Sequence, residues 1–98
     1  MTDLADDPDL LAAARAGDQR AFGRLVGRHQ RGLESYCSLM LGCPHQAEEV
    51  VRTTVLLAWR GRGRGRSDGP ADARIWFYRI ATRACLEQLD RRDEVAGA

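Results

Sequence analysis

From Phe22 to Met40 the chain places Phe22, Leu25, Val26, His29, Leu33, Tyr36, Cys37 and Met40 on one face of a helix. The spacing i, i+3, i+4, i+7 is the period of an amphipathic helix and does not fit the period of two that a half-buried strand requires. Asp18 stands where a carboxylate can accept the first free backbone N–H groups. Gly42 stands where a C′ glycine can stop the helix. A long helix over residues 18–41 is therefore the first element. Every other segment must supply a surface that buries its apolar face. In a chain of 98 residues this means one domain with a modest core.

The rest of the sequence supplies such surfaces as helices too. Asp9–Ala16 reads as a short helix with Pro8 in its first turn, Leu10 and Leu11 as apolar anchors and Gly17 as its stop. From about His45 to Arg60, after Pro44, the residues Ala47, Val50, Val51, Thr54 and Ala58 line one face. Glu48 and Glu49 fall near the favourable N-terminal end of the dipole. Gly61, Gly63 and Gly65 break that helix, and Gly61–Gly69 reads as a mobile loop. Pro70 is expected to open a last helix to about Arg92, burying Ala73, Trp76, Phe77, Ile80, Ala84 and Leu89. No strand or hairpin signal occurs. The expected fold is all-α: a compact bundle of three long helices plus a short N-terminal one. Residues 1–6 form a tail, 7–92 the domain, and 93–98 a frayed tail.

Charge is unevenly divided. Residues 1–50 carry five Arg against eight Asp and Glu, and residues 51–98 carry ten Arg against six. The C-terminal half is thus the candidate polyanion surface. All fifteen cations are arginine. Arginine adds forked hydrogen bonding and stacking that lysine lacks. The acidic start, without a basic signal region or a long apolar run, points to the cytoplasm and away from membranes.

Three cysteines are an odd number and give no disulfide framework. Cys37, Cys43 and His45 lie close in sequence, with His29 and Cys85 elsewhere, but the spacing matches no standard zinc pattern. The expectation is buried thiols, no metal and no cofactor. Catalysis has no foothold either. Glu48, Glu49 and Glu87 have no companion His or Asp cluster. G-x-S-x-G, H-E-x-x-H and P-loop signatures are absent, and His29 sits on an apolar face.

The pattern that does carry chemistry is the tract Arg60, Arg62, Arg64, Arg66, followed by Trp76, Phe77 and Tyr78 among Arg74, Arg79 and Arg83. Cations for phosphates beside flat rings for unstacked bases is what single-stranded nucleic acid requires. The competing expectation is that Trp76 and Phe77 are simply core.

Three stretches, DLLAAARAGDQRAFGRLVGRH, LGCPHQAEEVVRTTVLLAWRG and ARIWFYRIATRACLEQLDRR, resemble in order and spacing region 2 of bacterial extracytoplasmic-function (ECF) sigma factors. The resemblance covers roughly residues 7–92. It implies that the helix Gln46–Arg60 docks on the clamp helices of the largest subunit of core RNA polymerase. It also implies that the following loop and the start of the last helix hold open the −10 promoter element, capturing a flipped base of the non-template strand. The implied polymerase-binding residues are Gln46, Glu48, Glu49, Arg52, Thr53, Leu56 and Leu57. The implied DNA-binding residues are Arg60, Arg62, Arg64, Arg66, Arg74, Tyr78, Arg79 and Arg83. A further partner, an anti-sigma or companion protein, fits the same resemblance.

The departures from the family pattern concern both surfaces. The family commonly has an acidic residue at Gln46, a Gln-Glu pair at Arg52-Thr53, and a basic residue at Leu57. It often has an asparagine at Arg83, a basic residue at Asp90, and a phenylalanine in the loop. Charge changes of this kind against a fixed partner surface alter affinity strongly. They leave open an alternative: a degenerate sigma-like domain acting through protein–protein contacts, as a decoy or half of a split sigma factor. The helix itself argues for a protein-binding face. Adjacent residues stand about 100° apart, so Leu56 and Leu57 cannot both join a face already holding Val50, Val51, Thr54 and Ala58. At least one faces a partner or solvent, unless Leu57 packs under the N-terminal helix.

Overall fold

The computed structural model describes residues 8–63 and 72–97. Four helices follow in order: α1 (Pro8–Arg15), α2 (Gln19–Leu41), α3 (Pro44–Arg60) and α4 (Ala73–Gly97). Among the described residues there is no strand. α2 is the central element and packs against all three others, while α3 also packs on α4. None of these helices is long and apolar enough to cross a membrane.

The helix ends follow from local chemistry. The Asp18 carboxylate accepts hydrogen bonds from the N–H groups of Arg20, at 3.0 Å, and Ala21, at 3.2 Å. Gly42 leaves α2 at φ 69°, donating its N–H to the Ser38 carbonyl at 2.8 Å. Gly17 takes φ 108° in the turn between α1 and α2. α4 starts later than Pro70 suggests. Asp72 caps it, its carboxylate accepting from the Arg74 N–H at 2.8 Å. The helix also continues through Gly97 instead of fraying after Arg92. Arg92 ties it down by donating from Nη1 to the Leu41 carbonyl at 2.8 Å, which places a cation at the negative end of α2.

The core contains Leu11 and Ala14 of α1, Phe22, Leu25, Leu33 and Cys37 of α2, the expected α3 set, and Ala73, Trp76, Phe77, Ala81, Ala84 and Cys85 of α4. Thr54 is buried but satisfied, donating its hydroxyl to the Val50 carbonyl at 2.8 Å. Val26, His29, Tyr36 and Met40 are only half-buried, because they flank the α2 stripe instead of forming its centre. Ile80 and Leu89, expected in the core, are also half-buried. Ala81 takes the inward position next to Ile80, and Ile80 turns towards α3. Trp76 and Phe77 are core residues, 8% and 1% exposed, which settles against their use as open stacking surfaces. They form one aromatic cluster with Phe22 and Trp59: Phe22 lies 5.1 Å from Trp59 and 6.0 Å from both Trp76 and Phe77.

Cys37 and Cys85 meet between α2 and α4, both fully buried. Burial, helped by a hydrogen bond to Cys85, pushes the Cys37 thiol up to about 12. Burial also raises Cys85. Both are protonated packing groups at neutral pH, as inert thiols are. Among the described residues no cluster of potential metal ligands forms.

Candidate functional site

α3 is the ridge on which the predicted residues sort. Its inner face is closed by Ala47, Val50, Val51, Thr54 and Ala58, and its two flanks remain open. On the α2 side an open groove of about 720 Å³ is lined by Phe22, Glu49, Arg52, Thr53, Val55, Leu56 and Trp59. A second groove of about 470 Å³ continues along the same side past Val26, Gln30, Glu34, Glu48 and Val51. Leu56 is 47% exposed at this edge. Glu48 and Glu49 stand in solvent, the latter 3.5 Å from the His45 ring nitrogen Nε2. Gln46 is half-buried, and its Oε1 is buried with no hydrogen-bond partner among the described residues.

Leu57 does not share this surface. It is 44% exposed and belongs to a cleft of about 490 Å³ between α3 and α4, together with Arg79, Ile80, Arg83, Ala84 and Glu87. The alternative placement under the N-terminal helix is therefore wrong. One residue of rotation along α3 carries Leu57 to the opposite flank from Leu56. The cleft has an apolar floor and a rim of exposed arginines one helical turn apart. Sequence reasoning did not include Glu87 or Ala84 in a site; the i, i+4 ladders Arg79–Arg83–Glu87 and Ile80–Ala84 are the signals that could have found them.

Around the corner of α4, a shallow depression of about 390 Å³ is lined by Ile75, Tyr78, Arg79 and Thr82. Tyr78 is half-buried, with Arg74 5.7 Å over its ring and Tyr36 5.2 Å away edge-on. Thr82 donates its hydroxyl to the Tyr78 carbonyl at 2.7 Å, so in the 2.6 Å contact between hydroxyls it is Tyr36 that donates to Thr82. Arg74, Arg79, Arg83 and Arg60 are exposed. Arg62 is not displayed in the same way. Its guanidinium lies 3.9 Å over the Trp59 ring, and Nη1 donates to the Trp59 carbonyl at 2.7 Å. Of the loop Gly61–Gly69 expected to be mobile, the first three residues form a turn closed by N–H bonds from Gly61 and Arg62 to carbonyls of α3, and the rest, with Arg64 and Arg66, lies outside the described residues.

The two flanks of the ridge differ in chemistry: Glu48, Glu49 and Arg52 stand around apolar surface on the α2 side, and Arg79, Arg83 and Glu87 around an apolar floor on the α4 side. The model of sigma-70 region 2 matches residues 25–95. The chain belongs to the sigma-70 region 2 family. It is similar to ECF RNA polymerase sigma factor SigM of Mycobacterium tuberculosis (strain ATCC 25618 / H37Rv), 38% identical over 85 residues that cover 87% of this chain and 42% of the relative. It is also similar to ECF RNA polymerase sigma factor SigG of Mycobacterium tuberculosis (strain CDC 1551 / Oshkosh), 37% identical over 83% of this chain and 20% of the relative. RNA polymerase sigma factor NccH of Alcaligenes xylosoxydans xylosoxydans is 37% identical over 82% of this chain and 42% of its own length. The chain thus spans less than half the length of these curated relatives. No solved structure matches it. Within the family, the region 2 assignment is that of the ECF sigma factors.

Proposed function

We propose that this domain is a binding module for transcription initiation that holds core RNA polymerase on one flank of α3 and single-stranded promoter DNA on the other. The observation that supports this most directly is the separation of Leu56 from Leu57. Neighbours in sequence, they open onto grooves of different chemistry. On the α2 side, Glu48, Glu49, Arg52, Thr53 and Leu56 surround apolar surface, and carboxylates there repel phosphates. That flank is the protein-docking face, and the clamp helices of the largest polymerase subunit are its partner. On the α4 side, Leu57, Ile80 and Ala84 offer a floor for an unstacked base, with Arg79 and Arg83 at phosphate-contacting positions. Arg60 and Arg74 extend that cationic surface. The occupant is the non-template strand of the −10 element.

Arginine at position 83 offers donors only, so base selection there rests on acceptors of the base edge. The reading is of a binding module. The test separates the flanks. Leu56→Glu is expected to abolish capture of core polymerase while leaving oligonucleotide binding intact. Arg79→Ala with Arg83→Ala is expected to do the reverse. If the arginine pair disrupts polymerase capture and Leu56→Glu does not, the assignment of flanks is wrong. A chain that captures no polymerase but retains a dedicated protein partner through Leu56 favours the decoy or split-factor reading, which the exposed leucine also suits.

A further inference from the structure

The aromatic cluster that joins α2, α3 and α4 is closed at both ends by an arginine. At one end the Arg62 guanidinium stacks on Trp59 at 3.9 Å while donating to the last-turn carbonyl of that same residue at 2.7 Å. Its backbone N–H also points at that carbonyl, at 3.3 Å. At the other end Arg15, in the last turn of α1, lies 4.8 Å over Trp76. Between them run Trp59, Phe22, Trp76 and Phe77 in continuous ring contact. Arg62 also lies beside the turn that follows Arg15. A Cβ added at Gly17, in the turn that ends α1, would rest 3.7 Å from Arg62 Nε. Arg15, Gly17 and Phe22 all precede residue 25, where the match to the family model begins.

We infer that α1 and its turn form a brace, with Arg62 and Arg15 as positioning residues that set the C-terminal end of α3 against the start of α4 and so hold the Leu57–Arg79–Arg83 cleft in its binding geometry. Arg62 belongs to this brace and is not a phosphate contact. The reason is physical. A guanidinium that is half-buried, stacked on an indole and bonded to a helix-terminal carbonyl is already spending its flat face and one edge on the protein. Swinging it out to a phosphate forfeits both. Trp59 and Ala58 sit in the same turn of α3 as Leu57, and Trp76 is one turn ahead of Arg79 and Ile80 on α4. A shift at either ring therefore moves one wall of the cleft relative to the other. This inference rests on the reading of that cleft as the nucleic-acid face.

The salt dependence of binding separates positioning from contact. Each phosphate contact to a single strand contributes about 0.7 to the slope of log K against log salt concentration. The measurement is fluorescence anisotropy of a labelled single-stranded oligonucleotide carrying a −10-like sequence, titrated with the full chain at several salt concentrations. Arg83→Ala, a proposed contact, should lower the slope by about 0.7. Arg62→Ala should weaken binding by about fivefold, the order expected when one cation–π anchor is lost, with the slope unchanged. Arg62→Gln keeps a planar group and a donor for the Trp59 carbonyl but not the cation, and should recover part of that loss. Arg15→Ala should behave as Arg62→Ala does. Tryptophan emission of the free protein should shift with Arg62→Ala and move part of the way back with Arg62→Gln. A slope lowered by Arg62→Ala, with no recovery by Arg62→Gln, makes Arg62 a phosphate contact and overturns the brace while leaving the nucleic-acid reading in place. Absence of oligonucleotide binding by the parent chain at any salt concentration takes down both.

Discussion

Gly32→Ala puts a methyl group where α2 passes closest to Tyr78 of α4. A Cβ built on Gly32 lies 2.5 Å from the Tyr78 hydroxyl oxygen and 3.9 Å from the ring carbon that bears it. The ring has little room to retreat, because Tyr36 stands edge-on at 5.2 Å and Arg74 covers its face at 5.7 Å. Two effects oppose each other. Alanine gains about 0.5–1 kcal/mol over glycine inside a helix. Overpacking costs about 1–3 kcal/mol. The net expectation in the parent is a loss of about 1 kcal/mol, so the clash outweighs the helix gain. Tyr78→Phe removes the offending oxygen and leaves only the ordinary contact at 3.9 Å. In that background Gly32→Ala should stabilise by about 0.5–1 kcal/mol. The four proteins are compared by urea denaturation, with the m-value checked for constancy. The sign reversal is the decisive outcome, and it corresponds to a coupling energy of about 1–3 kcal/mol. If Gly32→Ala has the same sign and size in both backgrounds, Tyr78 does not sit over Gly32 and the α2–α4 packing described above is wrong.

Three further outcomes are expected. Trp76→Ala should cost about 3–5 kcal/mol, a large share of the stability of a domain this size, and circular dichroism melting should show it near the edge of unfolding. Asp18→Ala should cost about 1 kcal/mol by freeing the first N–H groups of α2, with Asp18→Ser recovering most of it in the same melts. The Cys37 thiol binds its proton more tightly folded than unfolded. Its contribution is intact below about pH 9 and is lost as pH rises towards about 12. Stability measured by denaturation across that window should fall more steeply in the parent than in Cys37→Ala; equal slopes would contradict the buried thiol pair. In the native protein a thiol reagent should label the half-exposed Cys43 first.

The sequence alone determined the fold class, because helix formation is announced locally. The spacing from Phe22 to Met40, the Asp18 cap and the Gly42 stop depend only on residues near one another. The inner face of α3, Ala47, Val50, Val51, Thr54 and Ala58, was legible for the same reason. The resemblance to ECF sigma region 2 was legible from the order of three motifs. Only the tertiary structure decided how neighbouring residues divide. Periodicity says that Leu56 and Leu57 cannot both be inside. It does not say that one faces α2 and the other faces the arginines of α4, since that depends on where two other helices lie. Periodicity likewise could not choose between Ile80 and Ala81 for the inward position. Arg62 shows the same limit at the level of charge. In sequence it is one arginine of a basic tract. In the fold it lies on Trp59 and beside the α1–α2 turn, which is more than forty residues away in sequence. Charge is written in the sequence, but whether a charge meets solvent or an indole ring is settled by packing.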